Sequence, residues 1–404
     1  MRIKQMLFIL NKVYKEPIMG QNLPKGFQFF SDHVGIKADQ KDLGIIVAEN
    51  VCHAAAVFTK NKLCGVSIPI GQEKLHNNEL QAIVVTSGIA NVATGAQGSA
   101  NAEAICAAVA EDLKIASQNV LPSATGVIGP QLPIAKILPK IHHISASLTS
   151  DYHDFVKAIS TTDTKIKARS IKIGDATILA VGKGSGMIEP NMATMLVYMM
   201  TDANIEKSTL YAMLKEAVDQ SFNVMSVDTD TSTSDTVVLM ANGLAGAVAP
   251  GAFQNGLNEV TRALAEDIVS DAEGATKVIE VNVTGWQDSQ QGKIIGKAVV
   301  NSPLVKTAIN GADPNWGRLV MAIGKTQIVG LNFESLSLKF GDYLIFDHGN
   351  EYSKNLLNIE QYLKNNEKVS IYIDLGMAPA AETVSVLGCD LSKEYVEINS
   401  AYTS

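Results

Sequence analysis

At 404 residues the chain exceeds one average domain, so two or three lobes are expected. Apolar residues make up 46% of the chain and charged residues only 18%, which argues against a disordered protein. The formal net charge is −8 and no block of Lys and Arg dominates, so nucleic acid is not expected as a partner. This acidic balance excludes no small anionic substrate, because a local site can be basic within an acidic protein.

The N-terminal segment carries no clear targeting signal. Its apolar part, within Met1–Leu10, is too short for a secretory signal and is followed by two lysines. No uninterrupted apolar run reaches the length of a membrane span. These features indicate a cytoplasmic protein without membrane contact. Residues 1–20 are expected to be a disordered lead or a misassigned start, and Met1 and Met19 both stay open as the first residue.

The first half of the chain predicts both strands and helices. The apolar run at 83–86 indicates a short strand, which leads into a glycine-rich loop ending at Gly98. A helix follows around 105–113, because its apolar residues recur on one face. Residues 170–181 indicate a hairpin that turns at Gly174.

The second half continues the same mixture. Periodicity alone does not distinguish a strand from a buried helix at 195–200, but the flanking Pro190 and the polar residues after Met200 favour a strand. No repeat of fixed period is present, so the pattern by itself gives an α/β or α+β protein. The later predictions are a helix capped by Ser208, a strand at 237–240, a helix at 257–268, a strand at 279–283, a helix at 299–308, and strands at 371–375 and 395–398.

The most informative segment is residues 182–196, GKGSGMIEPNMATML. It places Thr194 directly before an apolar run and after a glycine-rich turn. A hydroxyl nucleophile needs a base, and a Thr at the start of a chain supplies one as its free α-amine. The segment therefore predicts self-cleavage between Ala193 and Thr194, with Thr194 as the nucleophile. The simpler alternative is a Thr that merely begins a buried strand.

Several further segments accompany this one in a fixed order. Together they closely resemble the ornithine acetyltransferase family, also called the bifunctional glutamate N-acetyltransferase family, over nearly the whole chain. The resemblance is carried by ATGVIG at 124–129, TTDT at 161–164, SVD at 226–228, DTST at 230–233, EGATK at 273–277, DPNWGR at 313–318 and YVEIN at 395–399.

The resemblance implies a fold and an activity. The fold would be α+β, a four-layer αββα arrangement similar to N-terminal-nucleophile hydrolases, with additional smaller α/β lobes. Self-cleavage would give an α chain, 21–193, and a β chain, 194–404, assembled as an α2β2 heterotetramer. The activity would be acetyl transfer from N2-acetylornithine to L-glutamate through acetyl-Thr194, in arginine biosynthesis. No cofactor is expected, and acetyl-CoA stays open as a co-substrate.

The resemblance also assigns residues around the nucleophile. Thr125, through its hydroxyl, and Gly126, through its backbone N–H, would form the oxyanion hole. Lys183 would hold a substrate carboxylate or orient Thr194. Glu273 would contact the substrate amine, since a carboxylate suits the cation of ornithine. Without the resemblance, an ordinary turn, a solvated loop lysine and a helix-end charge are the simpler interpretations.

Four more residues match substrate contacts of the family. Thr161 or Thr162 would be one such contact, with the choice between them open and a turn or cap role as the alternative. Asn399 and the terminal Ser404 would close the pocket from the C-terminal side. Family members often end in Thr, so Ser404 keeps the hydroxyl, whereas a frayed tail is the ordinary expectation.

The chain departs from the family pattern at three places. Thr86 and Ile89 stand where amides are common, and Thr229 stands where Gly is usual. A β-branched residue resists a positive φ angle, so Thr229 raises a question about loop geometry. Residues 270–272, Ser-Asp-Ala, replace the usual Arg-Asp-Gly. These changes affect substrate choice or maturation more than the class of reaction.

Two rival functions stay open. An amidase or aminopeptidase of the same chemistry would use water in place of glutamate. A diverged, unprocessed homologue would act as a binding protein without catalysis. The seven His residues form no cluster at ligand spacing and the four Cys residues form no C-x-x-C pair, so no metal site is expected.

Overall fold

A computed structural model describes residues 22–189, 195–380 and 382–401 of the chain. Within these ranges there are fourteen strands and eleven α-helices. The strands are β1 Phe27–Asp32, β2 Leu43–Phe58, β3 Glu79–Ile89, β4 Val120–Val127, β5 Lys167–Ile173, β6 Ala176–Lys183, β7 Leu196–Asn204, β8 Thr236–Ala247, β9 Val278–Thr284, β10 Ser337–Phe340, β11 Tyr343–Asp347, β12 Asn350–Glu351, β13 Lys368–Asp374 and β14 Val384–Cys389. The helices are α1 Ser67–Lys74, α2 Gly95–Leu113, α3 Ile134–Ile141, α4 His153–Ile159, α5 Lys207–Gln220, α6 Pro250–Ser270, α7 Ser289–Val300, α8 Pro303–Asn310, α9 Trp316–Gly324, α10 Leu356–Asn365 and α11 Lys393–Ala401.

The larger sheet folds back on itself through its longest strand. Its order is β4-β3-β2-β8-β7-β6-β5, with β1 paired to the first part of β2. The 16 residues of β2 change partner along their length, because the register shifts between Val47 and Cys52. The first part of β2 pairs with β1 and β3, and the second part pairs with β8. One strand therefore belongs to both halves of the sheet.

Three apolar cores show the resulting layers. Between the sheet halves, Phe29 and Ile83 from one half share a core with Leu196 and Tyr198 from the other. On one outer side, helices α2 and α3 pack on β2 and β3. On the opposite side, α5 and α6 pack on β6, β7 and β8. Alternation along each strand sends successive side chains to opposite faces, so both faces of each half are apolar. The order of layers is αββα, as the family resemblance implies.

A second sheet forms a smaller α/β lobe. Its order is β12-β11-β10-β13-β9-β14, and helices α7 to α10 supply the other side of its core. Strand β14 of this lobe contacts the segment before β8, where the Ser226 N–H donates to the Leu387 carbonyl at 2.9 Å. Among the described residues, no helix is long and apolar enough to cross a membrane.

Most of the predicted elements are present. The hairpin at 170–181 is β5 and β6, joined at Gly174, and the apolar segment from 195 becomes the strand β7. The helix expected after Ser208 is present, but Ser208 is not its cap, because the helix begins at Lys207 and Glu206 occupies the N-cap position. The predicted strands at 83–86, 237–240 and 279–283 lie within β3, β8 and β9, and the strand predicted at 371–375 runs one residue past the end of β13 at Asp374. The helices around 105–113 and 257–268 lie within α2 and α6.

Two predictions about secondary structure are wrong. The single helix expected at 299–308 is two helices, because Ser302 caps α8 by accepting the Val305 N–H and is followed by Pro303. The strand expected at 395–398 lies in helix α11. Its apolar residues have no sheet to pair with, and Val396 is 60% exposed.

Candidate active site

The predicted oxyanion residues lie at the end of β4. Thr125 and Gly126 are paired in parallel with the end of β3, where Gly88 stands opposite Gly126. Gly126 has a φ of +126°, and a Cβ added there would lie 2.3 Å from the carbonyl carbon of Gly88. Only glycine permits both this φ and this approach of two backbones. The turn is therefore built for a close backbone contact.

Lys183 reaches this turn from the opposite half of the sheet. It is the last residue of β6, and its Nζ lies 3.2 Å from the Thr125 hydroxyl oxygen. The side chain is only 9% exposed, which excludes the solvated loop lysine of the simpler interpretation. Burial lowers the pKa of Lys183, although the Asp163 carboxylate opposes this effect. Lys183 thus brings a buried amino group to the oxyanion turn, with the Asp163 carboxylate favouring its charged form.

Strand pairing links Lys183 to the predicted nucleophile. In the antiparallel pair of β6 and β7, Lys183 stands opposite Leu196, which follows Thr194 by two positions. Thr194 itself, together with Ala193, lies outside the described residues. The same is true of Ser404. The predictions for these three residues therefore rest on the sequence, while the structure describes β7, which begins two residues after Thr194 at Leu196.

Beside Lys183 lies a fully buried ionic network. The Lys167 Nζ donates to Asp163 Oδ1 and to Asp271 Oδ2, each at 2.6 Å, and all three side chains are at most 3% exposed. Burial alone would raise the pKa of Asp163, but the cations of Lys167 and Lys183 outweigh it and hold that pKa below its usual range. For Lys167, burial is outweighed by its two carboxylate partners, so its pKa is raised. Asp163 and Lys167 therefore stay charged.

The network fixes the loops that carry the predicted substrate contacts. Asp163 accepts the N–H of Gly184 at 2.7 Å, next to Lys183, and the N–H of Thr161 at 3.1 Å. Thr161 and Thr162 both lie half-buried in this turn, and the choice between them stays a prediction. The Asp163 carboxylate thus positions the turn at Thr161 relative to Lys183, which approaches the oxyanion turn.

Glu273 and Asn399 meet on the other side of the glycine-rich loop. The Glu273 N–H donates to the Ser185 carbonyl at 3.0 Å, and the Asn399 Nδ2 donates to Glu273 Oε2 at 2.9 Å. A Cβ added at Gly186 would lie 2.5 Å from Glu273 Oε2, so the carboxylate lies directly against the loop. The Ser185 hydroxyl also donates to the Asp271 carbonyl at 2.7 Å, which connects this group to the ionic network. The structure thus brings two distant predicted contacts together.

The far end of the loop is held by a half-buried carboxylate. Asp228 accepts the N–H groups of Met187 and Ile188 at 2.7 and 2.8 Å. Burial raises the pKa of Asp228, although these N–H groups oppose the rise. The next residue is Thr229, whose φ of +72° is the left-handed geometry that a Gly would adopt without strain. This departure therefore places strain beside the loop and removes none of the predicted site residues.

Sequence reasoning missed the residues that hold the site together. In the sequence pattern Asp163 appears only within the motif at 161–164 and Asp271 only within the departure at 270–272, and no motif includes Lys167. The spacing of Asp163 and Lys167, four residues apart, is a weak signal of pairing. Nothing local connects either of them to Asp271, which is 104 residues from Lys167. Among the described residues, no group of three or more His, Cys, Asp or Glu is placed to hold a metal ion.

Comparisons with known proteins show what the chain as a whole is similar to. The model of the ArgJ family matches residues 28–404. The chain is 48% identical to the arginine biosynthesis bifunctional protein ArgJ 2 of Clostridium acetobutylicum, over 94% of this chain and 98% of that protein. It is 40% identical to the glutamate N-acetyltransferase Oat2 of Streptomyces clavuligerus, over 94% and 98%. The crystal structure of the arginine biosynthesis bifunctional protein argJ of Bacillus halodurans is 38% identical and covers 52% of this chain and 100% of its own, with a TM-score of 0.49.

Proposed function

The chain belongs to the ArgJ family, and from this premise we propose that it is a self-cleaving acetyltransferase of arginine biosynthesis. It would move an acetyl group from N2-acetylornithine to L-glutamate, giving ornithine and N-acetylglutamate. A relative named glutamate N-acetyltransferase, 40% identical over 94% of the chain, supports this choice of acceptor. Acetyl-CoA stays open as a second acetyl donor, and no cofactor is required by the chemistry.

The first step is maturation. The Thr194 hydroxyl attacks the Ala193 carbonyl carbon, the peptide C–N bond breaks as the nitrogen takes the hydroxyl proton, and an ester links the two residues. Water then hydrolyses the ester. The α chain ends at Ala193, and the β chain begins at Thr194 with a free α-amine. We propose that these chains form an α2β2 heterotetramer in the cytoplasm.

The second step is acetyl transfer by a ping-pong route. The α-amine of Thr194 accepts the hydroxyl proton, and the hydroxyl oxygen attacks the acetyl carbonyl of N2-acetylornithine. The C–N bond breaks as the ornithine amine takes that proton, which leaves acetyl-Thr194. The glutamate amine then attacks this ester, and Thr194 leaves with a proton from the amine. Each tetrahedral intermediate places negative charge on an oxygen, which Thr125 and Gly126 would stabilise.

One observation supports this assignment most directly. The buried Lys183 ammonium lies 3.2 Å from the Thr125 hydroxyl oxygen, at the strand end that pairs with the start of β7. A cation that donates to this hydroxyl directs the hydroxyl's own proton away from itself. The O–H of Thr125 is then free to donate to a developing oxyanion, in a region where burial strengthens electrostatic interactions.

Substrate recognition is assigned to the Glu273 group. The Glu273 carboxylate, held by Asn399 at 2.9 Å, would bind the ornithine ammonium. A charge-assisted hydrogen bond contributes about 1.5–3 kcal/mol. Glu273→Gln should therefore raise the KM for N2-acetylornithine about tenfold or more, with a smaller effect on acetyl-CoA as donor.

The decisive experiment compares the wild type with Thr194→Ala and Thr194→Ser. Intact mass under denaturing conditions reports cleavage, and the production of N-acetylglutamate reports transfer. We expect the wild type to be two chains with Thr at the second N-terminus, Thr194→Ala to stay uncut and inactive, and Thr194→Ser to keep both properties in part. Transfer by Thr194→Ala would show that the nucleophile assignment is wrong.

The same assay separates the rival functions. An amidase or aminopeptidase would release acetate or an amine at the same rate with and without glutamate. An unprocessed binding homologue would stay a single chain after long incubation and form no N-acetylglutamate. Acetyl-CoA supplied with glutamate alone tests the second donor.

A further inference from the structure

The loop between β1 and β2 is closed by one buried carboxylate. The Asp42 side chain is fully buried and accepts the N–H groups of Val34, Ile36 and Lys37 at 2.6, 2.6 and 2.8 Å. The Asp42 carbonyl accepts the Ser87 N–H at 2.9 Å. Three charge-assisted hydrogen bonds to backbone groups make this loop a rigid part of the fold. It is therefore fixed against the end of β3.

Side chains of this loop lie directly behind the oxyanion turn. A Cβ added at Gly88 would lie 2.8 Å from Ile36 Cγ2 and 3.2 Å from Lys37 Cγ. Gly88 in turn lies against Gly126, where an added Cβ would be 2.3 Å from the Gly88 carbonyl carbon. Lys37, Gly88 and Gly126 thus form a continuous line of contact. A shift of the Lys37 side chain would be transmitted to the backbone that carries the Gly126 N–H.

The ammonium of Lys37 contacts the end of α4 and the residue that follows it. Its Nζ donates to the carbonyls of Ser160 at 2.6 Å, Ala158 at 3.2 Å and Lys41 at 3.3 Å. Ser160 directly precedes Thr161, one of the two candidate substrate contacts. Lys37 therefore joins the end of α4 and the turn after it to the loop that backs the oxyanion turn.

The charge of Lys37 belongs to the same electrostatic group as the site. Burial lowers the pKa of Lys37 to about 8; the Asp42 carboxylate opposes this effect, Lys183 adds to it, and Asp163 opposes it. Three carbonyl oxygens around one nitrogen suit an ammonium, which donates three hydrogen bonds. Loss of the proton would leave one carbonyl without its donor.

We propose that Lys37 is a positioning residue of the acyl-transfer site, which holds the oxyanion turn at Gly126 and the turn at Thr161 in one fixed geometry. The inference rests on the proposed function, since it is that function which gives Gly126 and Thr161 their roles. A displacement of about 1 Å at such a site is enough to reduce the rate about 100-fold.

The test compares Lys37→Met with Lys41→Met. Lys41 lies in the same loop and also contacts α4, but its Nζ pairs with Asp154 at 2.7 Å where both side chains are about half exposed. The measurements are the extent of cleavage, the thermal unfolding midpoint, and kcat and KM for glutamate-dependent transfer, all well below the midpoint. We expect Lys37→Met to be folded and to lose about 10- to 100-fold in kcat, and Lys41→Met to stay within about twofold, since exposed pairs contribute little.

Two results separate the proposals. A wild type that does not transfer acetyl overturns the proposed function and this inference with it. A wild type that transfers, together with Lys37→Met turning over like Lys41→Met, overturns this inference alone.

Lys37→Arg keeps the question answerable if Lys37→Met does not fold. A guanidinium keeps its charge to far higher pH than an ammonium and still donates to several carbonyls. We expect the wild-type kcat to fall as pH rises through about 8, and the fall in Lys37→Arg to move to higher pH. Identical alkaline limbs would overturn the assignment, because the other charged groups near Lys37, namely Asp42, Lys183 and Asp163, are the same in both proteins.

Discussion

Replacing Lys167 by Met tests the ionic network most severely. The change keeps the length and apolar stem of the side chain but removes the charge that lies 2.6 Å from both Asp163 and Asp271. Two carboxylates, each at most 3% exposed, would then lack their shared partner. Removal of one member of a buried ion pair costs about 3–5 kcal/mol. Since Lys183 still acts on Asp163, we expect a loss of about 3–5 kcal/mol and not twice that amount.

The assay is urea unfolding in a Thr194→Ala background, so that the cleavage state is the same in every protein compared. Lys165→Met is the matched control, because its half-buried side chain is two residues away and its Nζ lies 3.5 Å from the Ser270 carbonyl. We expect the control to lose less than about 1 kcal/mol. The Lys167→Met protein should unfold at a much lower urea concentration.

The pH dependence of the loss of stability in Lys167→Met provides a second, independent test. In the wild type the depressed pKa of Asp163 contributes stability that is present above its unfolded pKa and is lost as pH falls through the lower folded pKa. Without Lys167, burial is less well opposed, so the folded pKa of Asp163 should rise. The difference between variant and wild type should therefore be largest near about pH 7 and shrink toward about pH 5. A difference that is below about 1 kcal/mol, or that grows on acidification, would refute the reasoning.

Three further predictions concern the turns around the site. Thr229→Gly should leave the free energy of unfolding unchanged or raise it, as measured by urea unfolding. Gly relieves about 1–2 kcal/mol of strain at a φ of +72°, which exceeds its additional entropic cost of folding, about 0.5–1 kcal/mol. A clear destabilisation would contradict this prediction. Gly126→Ala should lower kcat about 100-fold or more without preventing expression, since the added Cβ would lie 2.3 Å from the Gly88 backbone. A variant with the kcat of the wild type would argue against the oxyanion role of Gly126. Lys183→Met should lose acetyl transfer to a similar extent, and Lys183→Arg should restore little of it. The reason is that the Lys183 ammonium approaches Thr125 as a compact donor at 3.2 Å. Full activity in either variant would count against the role of Lys183 at the oxyanion turn.

The sequence by itself determined the local elements and the identity of the chemical groups. The hairpin at 170–181 follows from alternation around Gly174, and strand β7 from an apolar run bounded by polar residues, because these signals are contained within a few neighbouring residues. Where local signals compete, prediction failed. The apolar pattern predicts a strand at 395–398, although none of the described strands pairs with these residues, and a continuous apolar run hides the cap at Ser302.

Only the tertiary structure decided how the predicted residues are brought together and what holds them. Lys183 approaches Thr125 across two halves of one sheet, 58 residues apart in sequence, because β2 belongs to both halves. The partners of Lys167 are set in the same way, with one four residues away and the other 104. Periodicity records which face of an element is apolar, but it carries no information about which buried charges meet. The chain pattern therefore predicts which residues react and bind, and the fold shows the carboxylates and lysines that lie beside them.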